Sequence, residues 1–219
     1  MDSYVAPQSN RWVVGVSGSS GMPYALRIIQ FLAETGYDVS VVFSESALRV
    51  LSEEQNLKTS QSTLSTQKLF GKDISGVTFY NPKDIGAWFA SGSAPAAGMV
   101  IVPSSMATLG MIANGCGNNL IHRAADVCLK ENRRLVIVPR ETPLSQIHLE
   151  NMLKLSRMGA RIVPAMPGFY HQPASIQDLV DMMVMKILDS MGVPNNLVQR
   201  WGGQEGGQGA LVSIKGGVA

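Results

Sequence analysis

RWVVGVSGSSG, residues 11–21, decides the fold. An unbroken apolar run over 12–16 gives way at once to serine and glycine. A helical pattern follows over 23–34, and Gly36 is placed to end it. A strand without polar alternation is covered on both faces, as the strands of parallel sheets are. The same unit recurs along the chain. Strands are expected at 38–43, 77–80, 99–102, 135–138 and 161–163, the last three bounded by Pro103, Pro139 and Pro164. Helices are expected at 45–54, 107–113, 119–130, 145–158 and 175–190, the last with an apolar stripe of Ile176, Leu179, Met183 and Ile187. Residues 55–75 are polar and hard to assign, and 81–97 read as a loop rich in Ala, Gly, Ser and Pro. This alternation predicts a single three-layer α/β domain over 11–201, its mostly parallel sheet covered by helices on both faces. A flexible N-terminus (1–10) and a flexible Gly-rich tail (202–219) are expected to flank it.

Bulk properties narrow the function. The chain has 219 residues, 45% hydrophobic and 16% charged, with a net charge of +2. That fits a globular domain and speaks against a nucleic-acid coat, though local Arg and Lys clusters remain able to hold a phosphate. Cys116 and Cys128 make no disulfide framework and no zinc spacing, and both read as reduced core residues. No signal-peptide pattern opens the chain and no apolar run nears the ~18 residues of a membrane span, so a soluble cytoplasmic protein is expected.

In parallel sheets of this kind ligands bind beyond the carboxyl ends of the strands. There the sequence places Gly18, Ser19, Ser20 and Gly21; Ser44; Ser104, Ser105, Met106, Ala107 and Thr108; Arg140, Glu141 and Thr142; and Phe169, Tyr170 and His171. Glycine lets backbone approach a phosphate, serine hydroxyls donate to it, and a helix start offers free N–H groups. Ordinary helix capping accounts for each serine loop taken singly. The first loop is neither a full dinucleotide fingerprint, since Val16 stands where the first glycine belongs, nor a P-loop, since it has no Lys. Arg140 beside Glu141 suits phosphate binding plus proton transfer, with a structural ion pair as the plainer account. Arg123 and Lys130 lie seven apart on one helical face, with Asp126 spaced to pair with the lysine. The three histidines have no metal or triad spacing, and no metal site is expected. Asp178 and Asp181, three apart on a helix, read as a solvated face.

Longer motifs carry a resemblance. GCGNNLIHRAADVCLK (115–130), VPRETPL (138–144), IHLENML (147–153), PAMPGFYH (164–171), the 18–21 loop and ASGS (90–93) closely resemble the UbiX-type flavin prenyltransferases, over about 11–201. The resemblance implies a Rossmann-like or flavodoxin-like subunit of a homododecamer, with active sites at subunit boundaries. It implies that FMN is held by Gly18, Ser19, Ser20, Ser44, Ser105, Met106, Ala107, Thr108 and Arg140. Dimethylallyl monophosphate would be held by Tyr170 and Lys186, with Arg123, Lys130 and Arg140 adding positive charge. Ser20, Glu54, Glu141 and Lys130 match positions tied to the chemistry, with Glu53 the alternative to Glu54 if the register shifts by one. Trp201 matches a tryptophan near the site. Some relatives carry Arg where this chain has Lys186, which keeps the charge and loses the bidentate fork.

The implied reaction joins reduced FMN, at N5 and C6, to the prenyl group, giving prenylated FMN for a UbiD-type decarboxylase, as in ubiquinone biosynthesis. No Asp-rich magnesium-diphosphate motif is present, so metal independence is expected. Two other readings remain: a flavin-dependent decarboxylase of the cysteine decarboxylase type, and a non-catalytic FMN-binding protein. The first would use a histidine before the 99–102 strand, where residues 88–98 have none. The second would not need Arg140, Glu141, Tyr170 and Lys186 together.

Overall fold

The structure is a computed structural model that describes residues 9–200. Strands β1 (Arg11–Val16), β2 (Asp38–Phe43), β3 (Val77–Tyr80), β4 (Gly98–Ser104), β5 (Arg134–Pro139) and β6 (Arg161–Ile162) form one sheet in the order β3-β2-β1-β4-β5-β6. All five pairings are parallel, where the sequence suggested a sheet only mostly so. Such pairings need crossovers, and the helices supply them. They are α1 (Met22–Glu34), α2 (Glu45–Gln55), α3 (Thr66–Phe70), α4 (Met106–Ala113), α5 (Leu120–Lys130), α6 (Gln146–Arg157) and α7 (Ile176–Met191), with a 3-10 turn at Trp88–Ala90.

Strand residues alternate between two cores. Val14 and Val16, with Val41, Phe43, Val100 and Val102, pack on α1, α2 and α7. Val13, with Val42, Met99, Ile101 and Ile137, packs on α4, α5 and α6. Gly15 shows how close α5 comes to the sheet. A Cβ there would lie 3.0 Å from Met99 Cε and 3.1 Å from Ile121 Cγ2.

Several local expectations change. The 55–75 stretch contains α3, capped by Ser65 and closed by Gly71 at φ 69°. α7 is anchored by Val180, Val184, Ile187, Leu188 and Met191, while Ile176 at its first turn is 79% exposed. The buried stripe therefore starts one turn later than the periodicity indicated. Asp178 caps α7, accepting from the Ala174 and Ser175 N–H groups at 2.8 and 2.9 Å, and Asp181 pairs with Arg27 at 2.7 Å. Neither is merely a solvated acid. Cys128 is buried as expected, whereas Cys116 is exposed.

Candidate active site

The sheet order reverses at β1, whose two neighbours lead to opposite edges, so the switch point at which such sheets bind ligands lies there, at the strands' carboxyl ends. Its rim is stitched together by polar contacts. The Ser17 N–H and hydroxyl both reach Pro103 O, at 3.1 and 3.2 Å, and Ser17 Oγ accepts from the Ser105 N–H at 2.8 Å. The Ser19 hydroxyl donates to Arg140 O at 2.7 Å, and the Arg140 N–H donates to Ser104 O at 3.3 Å. Loops after β1, β4 and β5 thus share one frame. The Ser44 N–H joins β2 to it through Val16 O at 2.9 Å. Gly18 is needed for close approach, because a Cβ there would collide with the Ser46 side chain.

Three helices begin at this rim, and their starts differ. Ser44 caps α2 by accepting from the Ala47 N–H at 3.1 Å, and Ser105 caps α4 by accepting from the Thr108 N–H at 3.2 Å. Their capping role is therefore real, and it leaves Met106 and Ala107 at the open N-terminal turn of α4. α1 has no side-chain cap from its own Gly21. Glu54 supplies the missing acceptor across the rim, taking the Gly21 N–H at 3.1 and 3.2 Å and the Met22 N–H at 2.9 Å. A carboxylate at the positive end of a helix is favourable. Burial, and then the Glu54 charge, push the Tyr24 hydroxyl above its ordinary range. Glu53 instead pairs with Arg49 at 3.0 Å on the outer surface, so of the two acids it is Glu54 that faces the Ser20–Gly21 turn.

Beyond β5, Arg140, Glu141 and Thr142 line a recess of about 250 Å³ that also touches Pro164 and Met166. Arg140 Nε is buried and, among the described residues, has no hydrogen-bond partner. Glu141 does not pair with it; its carboxylate accepts from the Thr142 N–H at 3.0 Å. Pro164 and Met166 also border a second cleft of about 580 Å³, lined by Tyr170, Lys186, Arg161 and Asp189. Among the described residues the Lys186 ammonium makes no hydrogen bond or ion pair, and the side chain is exposed.

Arg123 and Lys130 stand elsewhere. Arg123 donates to Ala90 O at 3.1 Å and pairs with Asp126 at 3.0 Å. Lys130, at the far end of α5, pairs with Glu131 at 3.6 Å rather than with Asp126. A Cβ on Gly92 would sit 3.4 Å from Lys130 Nζ, so the 90–93 loop packs against this helix. Two groups of candidate residues result: one at the carboxyl edge with Arg140 and Lys186, the other along α5 with the ASGS loop.

Comparison with known proteins settles the family. The sequence profile of the flavoprotein family matches residues 3–188. The flavin prenyltransferase UbiX of Alkalihalophilus pseudofirmus is 51% identical over 189 residues, 86% of this chain and 94% of that protein. UbiX of Halalkalibacterium halodurans is 49% identical over 191 residues, covering 87% and 93%. The crystal structure of AnUbiX in complex with FMN and dimethylallyl pyrophosphate has a TM-score of 0.80 at 38% identity, covering 90% of this chain and all of that one. A dodecameric FMN-dependent UbiX-like decarboxylase from Escherichia coli O157:H7 has a TM-score of 0.77 at 40% identity, covering 88% and 100%. The chain belongs to the UbiX flavin prenyltransferases. It is thus a transferase by family. The cypemycin decarboxylase, at 18% identity and a TM-score of 0.54, shares the fold alone.

For a UbiX family member, the structure brings Gly18, Ser19, Ser20, Ser44, Ser105, Thr108, Glu54 and Arg140 around one rim, with Tyr170 and Lys186 in the adjoining cleft. Trp201 lies outside the described residues. Sequence reasoning passed over Arg161, Asp189 and Arg200. Asp189 accepts from Arg200 through both oxygens, at 2.7 and 2.9 Å, and from Asn195 Nδ2 at 3.1 Å. One signal was readable: Asp189 follows Lys186 by three on a helix, so the two share a face.

Proposed function

We propose that this enzyme transfers a dimethylallyl group from dimethylallyl monophosphate to N5 and C6 of reduced FMN, yielding prenylated FMN for a UbiD-type decarboxylase. One observation carries the reading. Arg140 is tied by its backbone to the Ser19 and Ser104 loops, and it lines a recess that shares Pro164 and Met166 with the neighbouring cleft of Lys186 and Tyr170. A cation between two recesses suits two anionic substrates held side by side, which a flavin carrier has no use for. The rim fits a flavin nucleotide: Gly18 allows close approach, the α4 start offers N–H groups, and the orphaned Arg140 Nε calls for an acceptor. Gly18, Ser19, Ser20, Ser44, Ser105, Met106, Ala107, Thr108 and Arg140 form this nucleotide site.

Reduced FMN supplies the nucleophilic nitrogen and the ring carbon that accept the prenyl group. The protein's task is to manage charge. Breaking the allylic C–O bond leaves a negative charge on the departing phosphate, which Lys186, Arg140 and the Tyr170 hydroxyl stabilise. Arg123 and Lys130 add positive charge from a neighbouring subunit of a homododecamer, because their own subunit holds them apart from Arg140. Closure at C6 spends the prenyl double bond: its inner carbon gains a proton, equivalent to the one N5 released, as C6 bonds to its outer carbon, and Glu141, exposed at the recess, or the released phosphate takes the C6 proton. Glu54 fixes the turn that presents the Ser20 hydroxyl. The reaction needs no metal, and the unpaired Cys116 and Cys128 suit the reducing cytoplasm.

The test is anaerobic incubation with reduced FMN and dimethylallyl monophosphate or diphosphate, in chelator, followed by mass analysis of the flavin. A gain of one prenyl unit with the monophosphate is expected. Bound but unchanged FMN would instead favour the carrier reading. Glu141→Gln should slow turnover while FMN stays bound.

A further inference from the structure

The second cleft contains an acid where an anion is expected to bind. Asp189 lies three residues after Lys186 on α7 and lines the same cleft. At that spacing an aspartate is a ready partner for a lysine. A Lys186–Asp189 pair would consume the charge meant for a phosphate and set a carboxylate against it. The structure has a different arrangement. The chain leaves α7 at Gly192, in the left-handed conformation at φ 73°, and folds back so that Arg200 meets Asp189 through two parallel N–H···O bonds at 2.9 and 2.7 Å. Buried Asn195 adds a third donor at 3.1 Å and accepts from Arg200 through its carbonyl at 3.4 Å. Both Asp189 oxygens are engaged, and Lys186 is left without an ion pair among the described residues.

We propose that Arg200 is a positioning residue for the allylic phosphate: by clamping Asp189 it withholds that carboxylate from Lys186 and leaves the lysine ammonium for the leaving group. The proposal rests on the reading of Lys186 as a phosphate ligand. Geometry favours the clamp over the competing pair. A guanidinium fork matches both carboxylate oxygens at once, whereas an ammonium acts as a point charge on a flexible stem. The clamp also offsets the negative charge of Asp189 in the cleft lining, so the attraction that Lys186 still exerts on Asp189 is secondary to the Arg200 contact and the cleft keeps the positive charge of Lys186 and Arg161. Asp189 is held ionised, its carboxyl pushed below the usual range first by the hydrogen bond from Arg200.

The experiment measures KM for dimethylallyl monophosphate, and kcat, at saturating reduced FMN and low salt in the full-length protein. Arg200→Ala should raise KM about three- to tenfold with kcat and FMN affinity nearly unchanged, an effect that shrinks in high salt. The double variant Arg200→Ala with Asp189→Asn should return KM to within about twofold of the unmodified enzyme, since the competing charge is gone. A merely structural role for Arg200 would not be rescued this way. Should Arg200→Ala fail to fold, Arg200→Met, which keeps the length of the stem without donors or charge, is read identically. An unchanged KM, or a raised KM that Asp189→Asn does not restore, overturns the proposal. Lys186→Ala separates the two levels. If it too leaves KM unchanged, the phosphate-ligand reading itself falls; if it raises KM while Arg200→Ala does not, only the clamp is wrong.

Discussion

At the scale of single residues, Glu54 carries the clearest consequence. It comes from the last turn of α2, yet its carboxylate serves the start of α1, where Gly21 offers no side chain. Removing it leaves two N–H groups with only water and strips a negative charge from a positive helix end. Glu54→Ala should therefore cost about 0.5–2 kcal/mol, read as a fall in denaturation midpoint. Glu54→Gln should recover most of that stability, because an amide oxygen still accepts. In Glu54→Ala activity should fall further than stability, because the Ser20 turn loses its fixed backbone. Equal losses would reduce Glu54 to a cap. The sequence placed Glu54 near the chemistry only through resemblance, with Glu53 as rival. A contact between residues 33 apart leaves no periodic trace. Arg161, Asp189 and Arg200 escaped for a related reason: a charged residue on a helix or near a chain end reads as solvated until its neighbours in space are known.

At the scale of elements, the apolar strand runs and the helices between them were legible from Arg11 onward, because each strand is buried on both faces and each β-α turn is marked by Ser, Gly or Pro. Short pieces were not. α3 has five residues, too few to show a period, and is fixed by its Ser65 cap and by packing. The α7 stripe was begun a turn too early: Met183 and Ile187 are buried as expected, while Ile176 in the first turn is exposed. The close seat of α5 on β1 was also invisible, although the glycine permitting it was in view. Gly15→Ala should push Met99 and Ile121 and cost about 1–3 kcal/mol. A lowered melting temperature with FMN binding intact would bear this out. An unchanged one would mean that the Met99 tip yields freely.

At the scale of the whole molecule, acid should act in two stages. His122 is buried on α5, its Nδ1 accepting from the Asn118 N–H, and burial lowers its imidazole below the ordinary 6.5. The folded protein resists the proton that the unfolded chain accepts. Stability is then full above 6.5 and declines as pH falls toward the folded value. Glu34, Asp178 and Asp189 are also lowered, held by hydrogen bonds from Gln30 and Lys72, from the Ala174–Ser175 backbone, and from Arg200. Their contribution persists above the ordinary carboxylate range and is lost only below it. Denaturant melts from pH 7 to 5 should show a decline that His122→Asn abolishes. An equal slope in that variant would exclude the imidazole as its source.

β5 separates Lys130 from Arg140: the lysine precedes this six-residue strand and the arginine follows it, about 20 Å apart at 3.3 Å per residue. If both serve one reaction, the lysine must come from another copy of the chain. Two disabled proteins, one Lys130→Ala and one Arg140→Ala, should then cure each other when refolded together. Mosaic particles would regain some centres built from an intact half of each. If the mixture stayed as dead as its parents, each chain would have to be self-sufficient.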